Sequence, residues 1–270
     1  MHCSTACALY STRVTAQTTF RFAGTISLSA GTAGLVLFLT NYHPIALLIG
    51  ILGLLVFVMR IRRAKHPFVL PLLLANKTYL VLAFIGVLSY LCNFATLFLL
   101  PQMLLKHFGL SAGHSGIVIF PGAILSMLLS RMVGAMIDKR GNSSMLRAAP
   151  MLILMAAVLF AGVGTQYWVA NIFVYMLMNL GFAIINSSVS NEISCILPSS
   201  QIGSGTWLFQ LMQFISGAFG IAVLSSALEW QQSLPPSHAY ANLFWGLAAV
   251  AVLANLCAFL YVRGLAQKTV

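Results

Sequence analysis

The chain of 270 residues is 60% hydrophobic and only 6% charged, whereas a soluble globular protein carries about a quarter charged residues. This composition excludes an ordinary water-soluble domain. Its 14 Lys and Arg against 3 Asp and Glu give a formal net charge of +11, and because the basic residues lie between apolar runs instead of on one helix face, they indicate membrane topology and not nucleic-acid binding.

Eight apolar runs follow one another along the sequence, each bounded by charge, Pro or Gly. Residues 1–20 are too polar to span a membrane and lack the features of a secretory signal, so they carry no assignment. The runs fall at residues 22–40, 44–59, 78–100, 115–137, 145–164, 167–195, 203–228 and 241–262. A spanning helix needs about 20 apolar residues, and no alternating pattern of barrel strands occurs. We therefore expect an all-α polytopic membrane protein of about eight transmembrane helices.

Basic residues collect on one side of these eight alternating spans, which hold 12 of the 14, while the opposite side holds Lys106 alone. The positive-inside rule then places both termini in the cytoplasm, in a multi-pass protein of the cell membrane. Two prolines, Pro67 and Pro71, follow the second span and interrupt helix. The expected organisation is an unassigned segment 1–20, a central transmembrane pair 21–66, a six-helix bundle 74–264 and a cytoplasmic tail 265–270.

The most specific string runs from Gly134 through Asp138 and Arg140 to Gly141, between the fourth and fifth spans. Gly134 allows close contact between helices, and Gly141 permits the positive φ of a tight turn. Asp138 is expected near the positive N-terminus of the following helix, where it holds two helix ends together in one conformation and releases them in another. Without further evidence, the alternative is a plain turn between helices.

This string, preceded by Pro121 and Gly122, resembles the loop and Pro-Gly span in the second half of major facilitator superfamily transporters. More narrowly, it is similar to the fourteen-span drug:proton antiporters and their tetracycline-efflux branch. The further matching strings are Phe22-Ala-Gly24, His66-Pro-Phe-Val69, Leu100-Pro-Gln102, Gly203-Ser-Gly205 and Gly217 to Ala222. The resemblance covers about residues 21–262, and it implies that the first two spans are the central pair and the last six the C-terminal half of such a transporter.

The resemblance implies drug efflux, of the tetracycline or multidrug type, by proton antiport. The implied partners are the lipid bilayer, a small-molecule drug and protons. Because the sequence offers no counterpart of the N-terminal six-helix half, the alternative expectation is a fragment that is transport-incompetent alone or acts only by pairing with a separate N-terminal half. A third possibility is a homodimer in which two copies form both walls of the route.

Carriers of this kind bind substrate near the bilayer midplane, so polar residues on one face of an apolar helix are the candidates for substrate contact. Three such stripes occur: Ser89, Asn93 and Thr96; Asn179, Asn186 and Ser190; and Thr206, Gln210 and Gln213. We expect the amides Asn93, Asn179, Asn186, Gln210 and Gln213 to line the cavity. The alternative for each stripe is hydrogen bonding between helices, worth about 0.6 kcal/mol, with no ligand involved.

Proton coupling requires a titratable group within the membrane, and the chain has only three carboxylates, Asp138, Glu192 and Glu229. Glu192, near the cytoplasmic end of the sixth span, is the candidate proton site, with a plain interfacial residue as the alternative. The histidines and cysteines show no metal-ligand spacing. Since no phosphate loop, nucleophile elbow or carboxylate pair occurs either, we expect no enzyme activity, no metal and no cofactor.

Overall fold

The computed structural model describes residue 73 and residues 75–266, together with the isolated positions 31, 34, 45, 48, 52, 53, 55 and 56. The side chains of Ser130, Arg131, Asp138, Arg140, Leu265 and Ala266 lie outside this description. The chain divides into two compact units, Met1–Leu72 and Leu73–Val270. The two spans predicted at 22–40 and 44–59 lie almost entirely outside the described residues, as do segments 1–20 and 267–270, so the central pair stays a prediction.

Six long helices make up the described part of the second unit. They are α1 (Lys77–Lys106), α2 (Ala112–Arg140), α3 (Asn142–Leu159), α4 (Ala170–Ile196), α5 (Ser199–Trp230) and α6 (Pro236–Ala266), and a π-helical turn at Phe160–Gly164 extends α3. All six are long and apolar enough to cross a membrane, and residues 75–266 contain no strand. The prediction of an all-α membrane protein is confirmed for the last six of the eight spans.

The helices start and stop where local chemistry satisfies their end groups. The side chain of Asn76 accepts a hydrogen bond from the Tyr79 amide (3.1 Å) at the start of α1. Gly141, with φ of 80°, ends α2 and directly precedes α3, which confirms the predicted tight turn.

Helix α1 is longer than its apolar run, because it continues at its C-terminal end through Pro101 to Lys106. Its 30 residues correspond to about 45 Å, longer than the hydrocarbon core of about 30 Å, so the extra turns reach the interface.

Helix α1 is the centre of the packing, since it lies against α4, α5 and α6, while α3 lies between α4 and α6. Helix α2 packs mainly on α4, and α5 mainly on α1. Polar side chains join these helices across long stretches of sequence: the Tyr79 hydroxyl donates to the Gly205 carbonyl (2.7 Å), and Nδ2 of Asn255 donates to the Pro150 carbonyl (2.9 Å). Such bonds remove polar groups from lipid and fix the axial positions of the helices.

Glycines bring α1 and α5 unusually close together. A Cβ atom on Gly217 of α5 would lie 2.9 Å from Cε1 of Tyr90 on α1, and a Cβ on Gly86 of α1 would collide with the Phe209 ring of α5. At the same contact, the Ser216 hydroxyl donates to the Val87 carbonyl (3.2 Å). Small residues at a membrane helix interface allow this approach and the dispersion contacts that come with it.

The two ends of the bundle differ in their chemistry. At the end that contains Gly141, called here the Gly141 end, short turns connect α2 to α3 and α4 to α5. At the opposite end, called the His107 end, the π-helical turn Phe160–Gly164 widens the last turn of α3. Carbonyls at the end of this turn find side-chain donors: Nδ2 of Asn171 donates to the Gly164 carbonyl (2.9 Å), and Nε2 of His107 donates to the carbonyl of Thr165, the residue after the turn (2.8 Å).

We predict that Gly217→Ala lowers the free energy of unfolding by about 1–3 kcal/mol, since the added methyl group overpacks the contact with Tyr90. The matched control is Gly246→Ala in α6, where a Cβ meets no atom of the described residues within 4 Å. There the better helix propensity of Ala raises stability by up to about 1 kcal/mol. Unfolding of the purified chain in detergent, followed by circular dichroism, measures both; equal effects of the two variants contradict the close packing.

Candidate functional site

Two amides from different predicted stripes meet in the middle of the bundle. Gln213 of α5 is 4% exposed, and its Nε2 donates to Oδ1 of Asn186 on α4 (3.2 Å). Asn186 itself is half-buried. This bond uses one polar atom of each amide, and within the described helices Nδ2 of Asn186 and Oε1 of Gln213 take part in no other hydrogen bond. The pair therefore offers one donor and one acceptor to a further molecule.

Four aromatic rings, centred on Tyr90, cluster about one helical turn from this amide pair, since Phe182 precedes Asn186 by four residues and Tyr90 packs against Gly217, four residues after Gln213. Tyr90 stacks on Phe94 within α1, with 4.3 Å between ring centroids. Two further rings are in T-shaped contact with Tyr90, namely Phe182 of α4 at 5.6 Å and Phe214 of α5 at 5.8 Å between centroids. These are favourable aromatic geometries. Tyr90 is buried, Phe94 and Phe182 are half-buried, and Phe214 is 62% exposed, so the cluster reaches from the packed interior to the open surface.

The aromatic–amide wall is defined here as Tyr90, Phe94, Phe182, Phe214, Asn186 and Gln213. Sequence reasoning identified its two amides but missed its rings, because aromatic residues do not stand out in apolar spans. A signal was nevertheless present. Phe182 precedes Asn186 by four residues, and Tyr90 and Phe94 are also four residues apart, a spacing that places side chains on one helix face.

Two other predicted cavity residues take no part in the Asn186–Gln213 hydrogen bond. Gln210 is exposed and lies four residues before Phe214, on the same side of α5. Asn179 donates from Nδ2 to the Tyr175 carbonyl of its own helix (3.0 Å). The Asn179 amide also lies against α2, since a Cβ on Gly122 would be 3.1 Å from its Nδ2. Asn179 thus takes part in the contact between α2 and α4.

The first polar stripe, on α1, contains two satisfied residues and one unsatisfied residue. The hydroxyls of Ser89 and Thr96 each donate to a carbonyl one turn earlier in α1, both at 2.8 Å. Asn93 lies between them and is 5% exposed, yet its Nδ2 has no hydrogen-bond partner among the described residues. Burial of an unpaired amide costs about 1–3 kcal/mol. Asn93 is therefore the residue of this stripe for whose Nδ2 the described helices offer no hydrogen-bond partner that would account for a polar side chain.

The aromatic–amide wall carries no negative charge. Of the three carboxylates in the chain, Glu192 and Glu229 lie near the ends of α4 and α5, and Asp138 precedes the Gly141 turn. A cation at mid-membrane costs about 2.5–3.5 kcal/mol on insertion scales, whereas one ring face returns about 0.5–2 kcal/mol. Because no carboxylate of this chain offsets the difference, the wall favours uncharged groups.

Glu192 joins three helices at the Gly141 end. Its Oε2 accepts a hydrogen bond from Nδ2 of Asn142, the first residue of α3, at 2.5 Å, and its Oε1 accepts one from the Tyr261 hydroxyl of α6 at 3.2 Å. Nδ2 of Asn142 also donates to the Ser188 carbonyl (3.1 Å). The half-buried carboxylate is thus held by neutral donors beside the positive end of the α3 dipole. The sequence analysis did not predict that Asn142 or Tyr261 bonds Glu192.

The structure describes the predicted loop motif only in part. Gly141 has the expected positive φ, and α3 starts immediately after it. Gly134 is exposed, and a Cβ there would meet no atom of the described residues within 4 Å, so the close helix contact expected at this glycine does not occur within the described helices. The side chains of Asp138 and Arg140 lie outside the described residues, and their roles stay predictions.

A model of the Major Facilitator Superfamily matches residues 6–221 of the chain. The match starts within the first 20 residues, to which the sequence analysis gave no assignment, and continues into α5. It therefore includes the entire aromatic–amide wall.

Individual relatives are distant but consistent with this match. The chain is 25% identical over 262 residues, 90% of its length, to the putative multidrug resistance protein MdtD of Cronobacter sakazakii, of which it covers 55%. It is 25% identical over 188 residues, 69% of its length, to the uncharacterized MFS-type transporter YcnB of Bacillus subtilis, of which it covers 40%. Over 180 residues, 62% of its length, it is 28% identical to the lincomycin resistance protein LmrB of Listeria monocytogenes, of which it covers 37%. The chain spans about half the length, or less, of these relatives.

Replacement of Asn142 by Ala is predicted to lower the free energy of unfolding by about 1.5–3 kcal/mol, because a hydrogen bond to a charged group is lost. Ser144→Ala, an exposed position in the same turn of α3, is the control and should change stability by less than about 0.5 kcal/mol. Thermal unfolding in detergent provides the comparison. If the two variants unfold alike, Glu192 does not anchor α3.

For Asn93 we predict that Leu, an apolar residue of similar size, leaves stability unchanged or raises it by about 1 kcal/mol, because the buried unpaired amide is removed. Thr96→Val is the matched control on the same helix face; it removes a satisfied hydroxyl and should cost about 0.5–1.5 kcal/mol. The same unfolding assay measures both. A large loss of stability in Asn93→Leu would show that its amide has a partner.

Proposed function

Since this chain belongs to the major facilitator superfamily, we propose that its aromatic–amide wall lines the route along which a membrane carrier exports small organic molecules. The observation that carries the proposal is the Asn186–Gln213 hydrogen bond beside four aromatic rings, one of which, Phe214, is open to the surroundings. Binding sites for small molecules combine apolar walls with a few polar groups in this way. In carriers built from repeats, the site lies between two rocking halves.

The family is one of membrane transporters, so the expectation that the chain is not an enzyme is confirmed. The chain is a multi-pass membrane protein, in agreement with its six long apolar helices. We further propose that both termini and the Gly141 end face the cytoplasm of a cell-membrane protein. The distribution of Lys and Arg supports this orientation.

Multidrug-type export is the substrate range that the relatives favour, since their names refer to multidrug and lincomycin resistance. The narrower assignment to the fourteen-span, tetracycline-exporting branch stays a prediction. An uncharged wall with one free donor and one free acceptor accepts many flat or amphiphilic molecules, because little in it selects a single pattern of charge.

Proton antiport is proposed to use Glu192. Its carboxylate is bonded to α3 and α6 through Asn142 and Tyr261, so a change in its protonation alters the bonds that join three helices. Asn142 is also the residue after Gly141, which links the site to the predicted conformational loop with Gly134, Asp138 and Arg140. A carboxylate at this place could therefore convert proton binding into movement of the α2–α3 connection.

The wall requires an opposite side, because Phe214 and Gln210 are exposed and one bundle supplies only one surface of a route between two halves. We propose a separate N-terminal half as that opposite side. The alternatives from the sequence remain a fragment that is transport-incompetent alone and a second copy of the chain in a homodimer.

The test is efflux from a drug-sensitive bacterial host that expresses the 270-residue chain, alone or with the six-helix N-terminal half of a relative. Cells with a functional carrier should accumulate several-fold less radiolabelled lincomycin or tetracycline than cells with an empty vector. Gln213→Leu should abolish the difference, since the polar contact of the wall is lost, whereas Gln232→Leu, at an exposed glutamine after α5, should preserve it. Glu192→Gln should leave an efflux that no longer responds to external pH.

Three results separate the alternatives. Efflux only upon co-expression identifies the chain as one half of a carrier. Efflux by the chain alone, together with a dimer by light scattering, identifies a homodimer. Wild-type accumulation equal to the vector control under every condition, with the chain present in the membrane, refutes the proposed function.

A further inference from the structure

From the aromatic–amide wall we infer that this chain binds flat, uncharged aromatic rings that carry a hydrogen-bonding group, and that it discriminates against cationic rings of the same shape. This inference rests on the proposed function, because it names the class of molecule held by the same wall. It goes beyond general drug export, since it specifies the shape, the charge and the polar group of the ligand.

The flat shape expected of the ligand follows from the arrangement of the rings in the wall. Tyr90 is enclosed, with Phe94 stacked on it and Gly217 against its ring. Tyr90 therefore supports the exposed rings and does not itself contact the ligand. Phe182 and Phe214 stand nearly perpendicular to Tyr90, with interplanar angles of 67° and 75°, and both retain accessible surface. A flat ring can contact these two exposed rings in stacked or edge-on geometry.

The amide pair determines which hydrogen-bonding groups the ligand should carry. Phe182 lies one turn before Asn186 on α4, and Phe214 and Gln213 lie three and four residues before Gly217, the point where α5 packs on Tyr90. Both side chains therefore flank this contact, and a ring held by the two phenylalanines lies near the amides. Nδ2 of Asn186 can donate to a ligand carbonyl, and Oε1 of Gln213 can accept from a ligand N–H or O–H group. A molecule with both groups satisfies the amides in a setting where water is scarce, which strengthens each bond.

The charge preference follows from the sequence as well as the structure. The three carboxylates of the chain all lie at or near helix ends, so this chain places none beside the rings. A cation attracted to a ring face would still lose more hydration than the ring returns. An uncharged ring does not have this cost, and the wall therefore selects against positive charge.

Three probes of one shape separate these effects. Acridone is flat, neutral and carries one N–H and one carbonyl; anthracene is flat and neutral without polar atoms; 10-methylacridinium is flat and permanently cationic. Equilibrium dialysis against the purified 270-residue chain in lipid nanodiscs, with empty nanodiscs as the blank for partitioning, gives the three dissociation constants. No gradient and no transport enter the measurement.

We expect acridone to bind about tenfold more tightly than anthracene, through its two hydrogen bonds, and anthracene to bind more tightly than 10-methylacridinium. Phe214→Leu should weaken acridone and anthracene alike, by about fivefold. Gln213→Leu should weaken acridone alone. The matched control is Phe173→Leu on α4, the helix that carries Phe182. Phe173 is 68% exposed and lies nine residues from Phe182, on the opposite face of the helix, so binding should not change.

Stronger binding of 10-methylacridinium than of anthracene overturns the charge preference. Equal effects of Phe214→Leu and Phe173→Leu, in variants that unfold at the wild-type temperature, overturn the location of the site, as does the absence of saturable acridone binding. Saturable acridone binding with the expected variant pattern, in a chain that fails every efflux test, refutes the proposed function and leaves this inference standing.

Discussion

The close approach of α1 and α5 is the constraint on which the candidate site depends. Because Gly217 has no side chain, Tyr90 and Phe94 lie directly against the α5 backbone. That contact brings Phe214 into T-shaped contact with Tyr90 and leaves Gln213 within hydrogen-bond distance of Asn186 on α4. Dispersion contacts weaken within an ångström of added separation, so a wider spacing of the two helices would loosen the rings and the amide pair together.

The residues proposed for binding and for coupling lie at different levels of α4. Asn186, which belongs to the uncharged wall, and Glu192, whose carboxylate holds α3 and α6 to α4, are six residues apart on α4. An α-helix rises about 1.5 Å per residue, so roughly 9 Å separates the two levels along the axis. A rigid helix transmits a displacement over that distance, which makes α4 the element through which ligand contact and protonation would affect each other.

Much of the fold was predictable from the sequence, because a helix in hydrocarbon must satisfy its own backbone and so appears as a long apolar run. The polar stripes were also visible, since one helix face is a local property. The pairing of Asn186 with Gln213 was not, because it depends on the distance between two helices, and the two residues are 27 positions apart in the chain. The partners of Glu192 lie 50 and 69 residues away. Such contacts come from tertiary packing, and the periodicity of polar residues along one helix does not determine which residue of another helix they contact.

The π-helical turn Phe160–Gly164 fixes the length of α3 relative to α4. A π turn holds one more residue than an α turn, and here the carbonyl of Gly164 is bonded by Asn171 of α4. Loss of one residue would restore regular α-helix but withdraw that carbonyl from its donor. A deletion at this end of the span therefore costs the hydrogen bond from Asn171 of the next helix, even where the thickness of the bilayer would tolerate a shorter span.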